Sequence, residues 1–252
     1  MAGHSKWANI KHKKAKEDAR RGKLFTKLAR EVEIAAREGG GDPEINFSLR
    51  LAIEKAKEAN MPNDNIERAI KRGTGEDKDA AKMEQIYYEG YAPHGVALII
   101  KCITDNRNRT VADIRHILSK AGGSMGESGS VGWQFSRISF FDIPSIGNDY
   151  DEIFEFALET GAEDVIENEG FIEIIAPVES FKTIHDCLEA DKIKTENSGL
   201  RFQPDRDLSL DLEKTVQVMK VIEKLEDLFD VQDVYSNLDI TDEAIEKLSD
   251  DE

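Results

Sequence analysis

The hydrophobic period of this chain is that of helices alone up to about residue 73 and alternates between strand and helix after it, and this change limits the folds open to it. Within residues 23–38, Leu24, Phe25, Leu28, Val32, Ala35 and Ala36 recur at spacings of three and four, one face of a helix. Gly39-Gly40-Gly41 ends that stretch, and Asp42 before Pro43 reads as the start of a second helix through Ile45, Leu49, Ala52, Ile53 and Ala56. Asn60-Met61-Pro62-Asn63 breaks the chain again, and Ile66, Ala69 and Ile70 mark a short third helix closed by Gly73. Residues 74–82 are polar and read as a linker, after which period two takes over.

Residues 86–91 and 96–104 read as strands joined around Pro93, His94 and Gly95, and a helical stripe of Val111, Ile114, Ile117 and Leu118 follows within 109–121. The glycines of residues 122–132 read as a mobile loop. Then come strands within 131–143, a helix near 149–160 stopped by Gly161, and a hairpin of 164–167 and 171–175. A helix with Phe181, Ile184 and Leu188 and a strand within 193–203 complete the run. That order is βαββαβ, the ferredoxin-like pattern. A strand at 208–212, a helix with Val216, Met219, Ile222 and Leu225 and a strand at 231–236 match the second half of another such motif, begun at residues 96–121. The fold expected is α+β, an N-terminal three-helix domain followed by two ferredoxin-like α/β domains, one inserted in the other. Its divisions fall at 1–78 (basic arm and helical domain), 79–130 plus 206–240 (discontinuous α/β domain) and 131–205 (inserted domain). An acidic tail at 241–252 frays beyond a last helical turn.

The formal net charge of −17 conceals a split. Residues 1–72 hold 17 basic and 11 acidic side chains, against 17 and 40 in residues 73–252, and residues 1–30 alone carry +8. The cations of this arm are Lys6, Lys11, Lys13, Lys14, Lys16, Arg20, Arg21, Lys23, Lys27 and Arg30. Clustered cations release condensed counterions when they meet phosphates, so the arm is the main nucleic-acid-binding candidate. Trp7 and His12 within it offer rings to stack on bases, and Trp7 equally suits anchoring the arm to the helical domain. Arg68, Lys71 and Arg72 are accounted for first by the C-terminal dipole of their helix.

The segment Thr104-Asp105-Asn106-Arg107-Asn108-Arg109-Thr110 joins a strand to a helix start. Asp105, Asn106 or Asn108 caps that helix as its main role, and Arg107 and Arg109 with the free backbone N–H groups make a second candidate anion contact. Catalytic signals are poor. His4, His12, His94, His116 and His185 lack metal-ligand spacing, Cys102 and Cys187 lack neighbouring thiols and read as reduced, and the Gly122–Gly132 loop lacks both phosphate-loop spacings. The longest strongly apolar stretch, 96–100, stops at Lys101, and residues 1–30 contain no apolar run of the secretory kind. A cytoplasmic, non-enzymatic protein without cofactor, metal or membrane contact is therefore expected.

Five segments carry a family resemblance: residues 1–14 (MAGHSKWANIKHKK), 60–70 (NMPNDNIERAI), 88–97 (YEGYAPHGVA), 104–110 (TDNRNRT) and 129–135 (GSVGWQF). Long, ordered and spread over the chain, they resemble the YebC/PmpR family. The resemblance implies a cytoplasmic three-domain protein regulating gene expression, described for some members as DNA-binding transcriptional regulation and for others as a translation factor easing ribosomes through proline-rich stretches. The partner it implies is DNA, or ribosomal RNA or tRNA with the ribosome. Lacking a helix rich in Arg, Asn and Gln for base edges, the chain leans towards RNA. The alternative is a protein-binding adaptor whose acidic α/β domains engage a basic partner.

Overall fold

The computed structural model describes residues 3–4, 6–7, 18–77 and 79–250. Residues 3–4 and 6–7 are helical, and from Asp18 onwards three helices follow: α1 (Asp18–Gly39), α2 (Phe47–Glu58) and α3 (Asn63–Thr74). Val32, Ala36, Leu49, Ala56, Met61, Ile66 and Ala69 form their shared core. Two expected boundaries move. Asp42 closes a turn, accepting from the backbone N–H of Glu44 at 3.0 Å. Asn46 is the cap of α2: its Oδ1 accepts from Leu49 N while its Nδ2 donates to Ala35 O and Gly40 O, tying the helix start to the end of α1. Ile45, outside the helix, is 82% exposed. The stop of α3 is Gly75, at φ +80°, and Gly73 lies inside the helix where α3 crosses α1. A Cβ on Gly73 would stand 2.3 Å from the Glu33 carbonyl oxygen and 2.7 Å from Ala36 Cβ, so this glycine is a close-approach residue.

The remaining elements are β1 (Glu84–Tyr91), β2 (Ala97–Thr104), α4 (Arg107–Ala121), β3 (Ser124–Met125), β4 (Phe135–Pro144), α5 (Tyr150–Thr160), β5 (Asp164–Asn168), β6 (Phe171–Pro177), α6 (Phe181–Ala190), β7 (Asn197–Pro204), α7 (Leu212–Glu226), β8 (Val231–Ser236) and α8 (Asp242–Asp250). They build an α+β fold with two antiparallel four-stranded sheets, ordered β3-β1-β2-β8 and β5-β6-β4-β7. The second is ferredoxin-like in direct chain order. The first reaches the same spatial order by a different route: the strand beside β2 is β1, which arrives from upstream through the short Pro93–Gly95 turn. No strand slot then remains for residues 208–212. Leu208 makes a single parallel bridge to Leu238, and Asp211 caps α7 through Lys214 N at 3.0 Å.

The chain end also differs from the fraying expected of it. Ala244, Ile245 and Leu248 of α8 are buried in the core of the first sheet's domain beside Leu225, Leu238 and Ile240. Trp7 joins that same core at 5% exposure, so the arm is pinned to the α/β domain by its indole.

The helical domain is held to the first sheet by a buried carboxylate. Asp230, just before β8, accepts from Arg109 Nη2 at 2.8 Å, from Thr110 Oγ1 at 2.8 Å and from Thr104 Oγ1 at 3.2 Å. Arg30 of α1 brings Nη1 to 3.3 Å from its other oxygen, donates to the Phe229 carbonyl and lies 3.8 Å over the Phe229 ring. Burial alone would raise the Asp230 carboxyl. The Arg109 and Thr110 hydrogen bonds and both guanidinium charges outweigh it and hold the group below the usual carboxylate range. Beside it, Lys101 of β2 reaches Asp233 of β8 at 3.2 Å and Glu31 of α1 at 3.5 Å.

Removing one partner of a buried pair strands the other, at a typical cost of about 3 to 5 kcal/mol. Asp230→Asn is expected to lower the urea midpoint by a corresponding amount. Because the folded pKa lies below the unfolded one, Asp230 contributes its stability above about pH 4 and loses it as pH falls further. The Asn variant should therefore lose less between neutral and acidic pH than the parent. Gly73→Ala should cost about 1 to 3 kcal/mol by overpacking the α1–α3 crossing. Equal midpoints for Gly73→Ala and the parent would contradict that close approach.

Candidate nucleic-acid interface

The ten cations expected to meet phosphate fall into four groups. Lys11, Lys13, Lys14 and Lys16 lie outside the described residues, as does His12. Arg20 and Arg21 sit near the start of α1. Lys6 and Lys23 are held by acidic side chains far away in sequence: Lys6 Nζ by Glu169 at 2.8 Å and Asp242 at 3.0 Å, Lys23 Nζ by Asp227 at 2.6 Å. Arg107 and Arg109, at the start of α4, face Glu84 and the Asp230–Asp105 pair respectively. Asn106 caps α4, its Oδ1 accepting from Arg109 N at 3.1 Å.

These pairs differ in how readily a phosphate could replace the carboxylate. The acids on Lys6 and Lys23 are 69 to 84% exposed, so they exchange with solvent and contribute little to stability. The hydrogen bonds that the Lys6 ammonium donates to Glu169 and Asp242 raise its pKa above the ordinary lysine value. Arg107 and Glu84 pair side by side at the surface, and the Glu84 carboxyl is lowered by that contact. Arg109 is different. Asp230, its main partner, is buried, so its guanidinium serves the junction with α1 while the side chain stays 43% exposed.

The glycine-rich loop is ordered by an anion of its own. Glu89 of β1 accepts backbone N–H groups of Gly129, Val131 and Gly132, each at 2.7 Å. Burial would raise this carboxyl, and the three amides outweigh it and hold it below the usual range. With β3 paired to β1, the loop expected to be mobile is instead a backbone cradle already filled by a side chain. The sequence reading took this segment for a mobile loop and missed the cradle, because its ligand Glu89 lies 40 residues upstream of Gly129.

Sequence reasoning also passed over Trp133. A strand running from Val131 would put Val131, Trp133 and Phe135 on one face. The structure inserts a 3-10 turn at Gly132–Gln134, which buries Val131 and Phe135 and leaves Trp133 74% exposed. Elsewhere, His185, Asp186 and Glu189 of α6 bring possible metal-ligand atoms within 4.8 Å of one another, and His185 also faces Glu54 of α2 at 3.6 Å. Two of the three α6 residues are exposed, and the cluster reads as a junction of the helical and inserted domains. Between the three domains runs an open groove of about 1330 Å³ in which Lys23, Lys27, Lys55 and Lys101 alternate with Glu31, Asp227 and Asp233.

Comparison with known proteins agrees with this architecture. Residues 5–76 match the family model described as the TACO1/YebC protein N-terminal domain, and residues 83–238 that of the TACO1/YebC second and third domain. A protein of Halothermothrix orenii named "Probable transcriptional regulatory protein" is 52% identical over 254 residues, covering 100% of both chains. One of the same name from Persephonella marina is 50% identical over 99% of this chain and 100% of its own. A crystal structure of a conserved hypothetical protein from Aquifex aeolicus superposes with a TM-score of 0.83 at 42% identity, covering 89% of this chain and 93% of that one. Matched over nearly its whole length by both domain models and by full-length relatives, the chain belongs to the TACO1/YebC family.

Proposed function

We propose that this protein is a non-enzymatic, cytoplasmic regulator of gene expression that binds nucleic acid through its basic arm and the start of α1. The observation that carries the reading is the charge division: +8 on residues 1–30 against a net −25 on the rest. The regulatory names of its relatives support the general role. No described helix is long and apolar enough to cross a membrane. Lys6, Lys11, Lys13, Lys14, Lys16, Arg20, Arg21 and Lys23 make the phosphate contacts, and Arg107 with the exposed part of Arg109 extends them. Asp227, Glu169 and Asp242 act as counterions that a phosphate displaces.

RNA on a ribosome is favoured over promoter DNA, in line with the family members that act as translation factors on proline-rich stretches. The helix best supplied with base-reading side chains is α3, and there Arg68 donates to its own Asn65 and Asp64 while Arg72 faces Asp77. Recognition of RNA by shape and unpaired bases needs no such helix. A second reading, a protein adaptor, is favoured by the inserted domain, whose residues 138–181 hold 12 acidic side chains and no Lys or Arg, with Ile146 and Leu158 exposed among them.

Replacing Lys11, Lys13, Lys14 and Lys16 together by Ala should weaken binding and flatten the dependence of log K on log salt by about 3 units; an unchanged slope would sink the phosphate-arm reading. Asp227→Asn, by freeing Lys23, should strengthen binding about two- to fivefold at low salt. Crosslinking and sequencing of bound nucleic acid in growing cells separates ribosomal RNA from promoters. Recovery of a single protein partner unaffected by nuclease would favour the adaptor.

A further inference from the structure

We propose that Trp133 is a stacking platform for an unpaired nucleobase, a contact that rests on the nucleic-acid reading above and adds a base-binding site to its phosphate-binding arm. The chain has two tryptophans, and the fold treats them oppositely. Trp7 is 5% exposed within a core; Trp133 is 74% exposed. An indole is among the largest apolar surfaces a side chain can bury, and leaving it in water gives up that stabilisation. The position does not force the loss, since Val131 and Phe135 on either side are buried between the two sheets with Ala97 and Ile99.

The ring is also tied to the backbone beneath it. Its Nε1–H donates to the Ser130 carbonyl at 3.1 Å, and the Tyr91 hydroxyl donates to the same oxygen at 3.2 Å. The backbone on both sides of Ser130 is fixed by Glu89, through Gly129 N, Val131 N and Gly132 N. The polar atom of the indole is thus satisfied by the chain's own backbone, and what remains for solvent is π surface mounted on a loop tied to Glu89. Such a surface needs little ordering on binding. Every base has a π face, so a contact of this kind tolerates sequence and requires only that the base be unpaired. Lys and Arg are absent from residues 121–136, so the charge term belongs to the arm and the stack is separable from it.

The test uses the full-length protein and a short single-stranded oligoadenosine, followed by intrinsic fluorescence and by a retardation assay. Oligoadenosine should quench the parent's emission at the exposed indole, and Trp133→Ala should lose that quenching and bind about 5- to 150-fold more weakly. The salt slope of the Ala variant should equal the parent's, because a stacked base releases no counterions. Trp133→Tyr should recover most of the affinity, and unchanged urea midpoints for both variants establish that folding is not the cause. If the parent binds and the Ala variant binds equally well with the same quenching, the stacking site is wrong while the arm stands. If the parent binds neither oligoadenosine nor duplex, the nucleic-acid reading fails with it.

Discussion

A single carboxylate, that of Asp230, sets the geometry on which the other features depend. It lies at the turn from α7 into β8, and its donors come from three other places: Arg109 and Thr110 at the start of α4, Thr104 at the end of β2 and Arg30 in the middle of α1. Two guanidinium groups so close together repel each other, and one of them is almost fully buried. The anion between them makes that arrangement tolerable, with carbonyls of Ile103 and Phe229 taking up Arg30's remaining capacity. Gross Coulomb attraction here is largely offset by desolvation. What the cluster supplies is position, because Arg30 reaching Asp230 is the buried contact among those that join α1 to the sheet, beside Lys23 to Asp227, Lys27 to the Glu226 and Gln232 carbonyls, and Glu31 to Lys101. The arm precedes α1, so its point of departure is set by the same contacts.

Helices and strands were legible wherever a local pattern decided them. The stripes of α1, α4 and α7 and the direct βαββαβ order of the inserted domain follow from spacing alone. Several of the misplaced features share one cause, a distant partner. Gly73 reads as a helix stop because stops are where local rules put glycine, whereas here the Glu33 carbonyl on another helix needs the space. Residues 208–212 read as a strand until β1 fills the slot beside β2. The tail reads as frayed from its acidity, yet Ala244, Ile245 and Leu248 find a core built by α7 and the stretch from Leu238 to Ile240.

The candidate site divides the same way. The excess of cations in the arm is a sum over neighbours and is visible in the sequence. The acids that meet Lys23 and Lys6, 204 and 163 positions away, are fixed only by the fold. Glu89 is likewise unremarkable in sequence, and only the sheet pairing of β1 with β3 turns it into the ligand of three amides.

The distribution of exposure gives the acidic remainder a mechanical role. Pairs of opposite charge occur in two kinds here, and burial separates them. Asp230 is sequestered, so displacing it from Arg109 would leave an uncompensated charge in the interior. Asp227, Asp242 and Glu169 stand mostly in water, where an ion pair is weak and a competing anion meets no desolvation barrier. A polyphosphate backbone gathers several such exchanges at once and gains counterion entropy that isolated carboxylates do not match. A net charge of −17 is thus compatible with phosphate binding because the acids that meet Lys6 and Lys23 are exposed, while the buried Asp230 holds Arg30 and with it α1 in place.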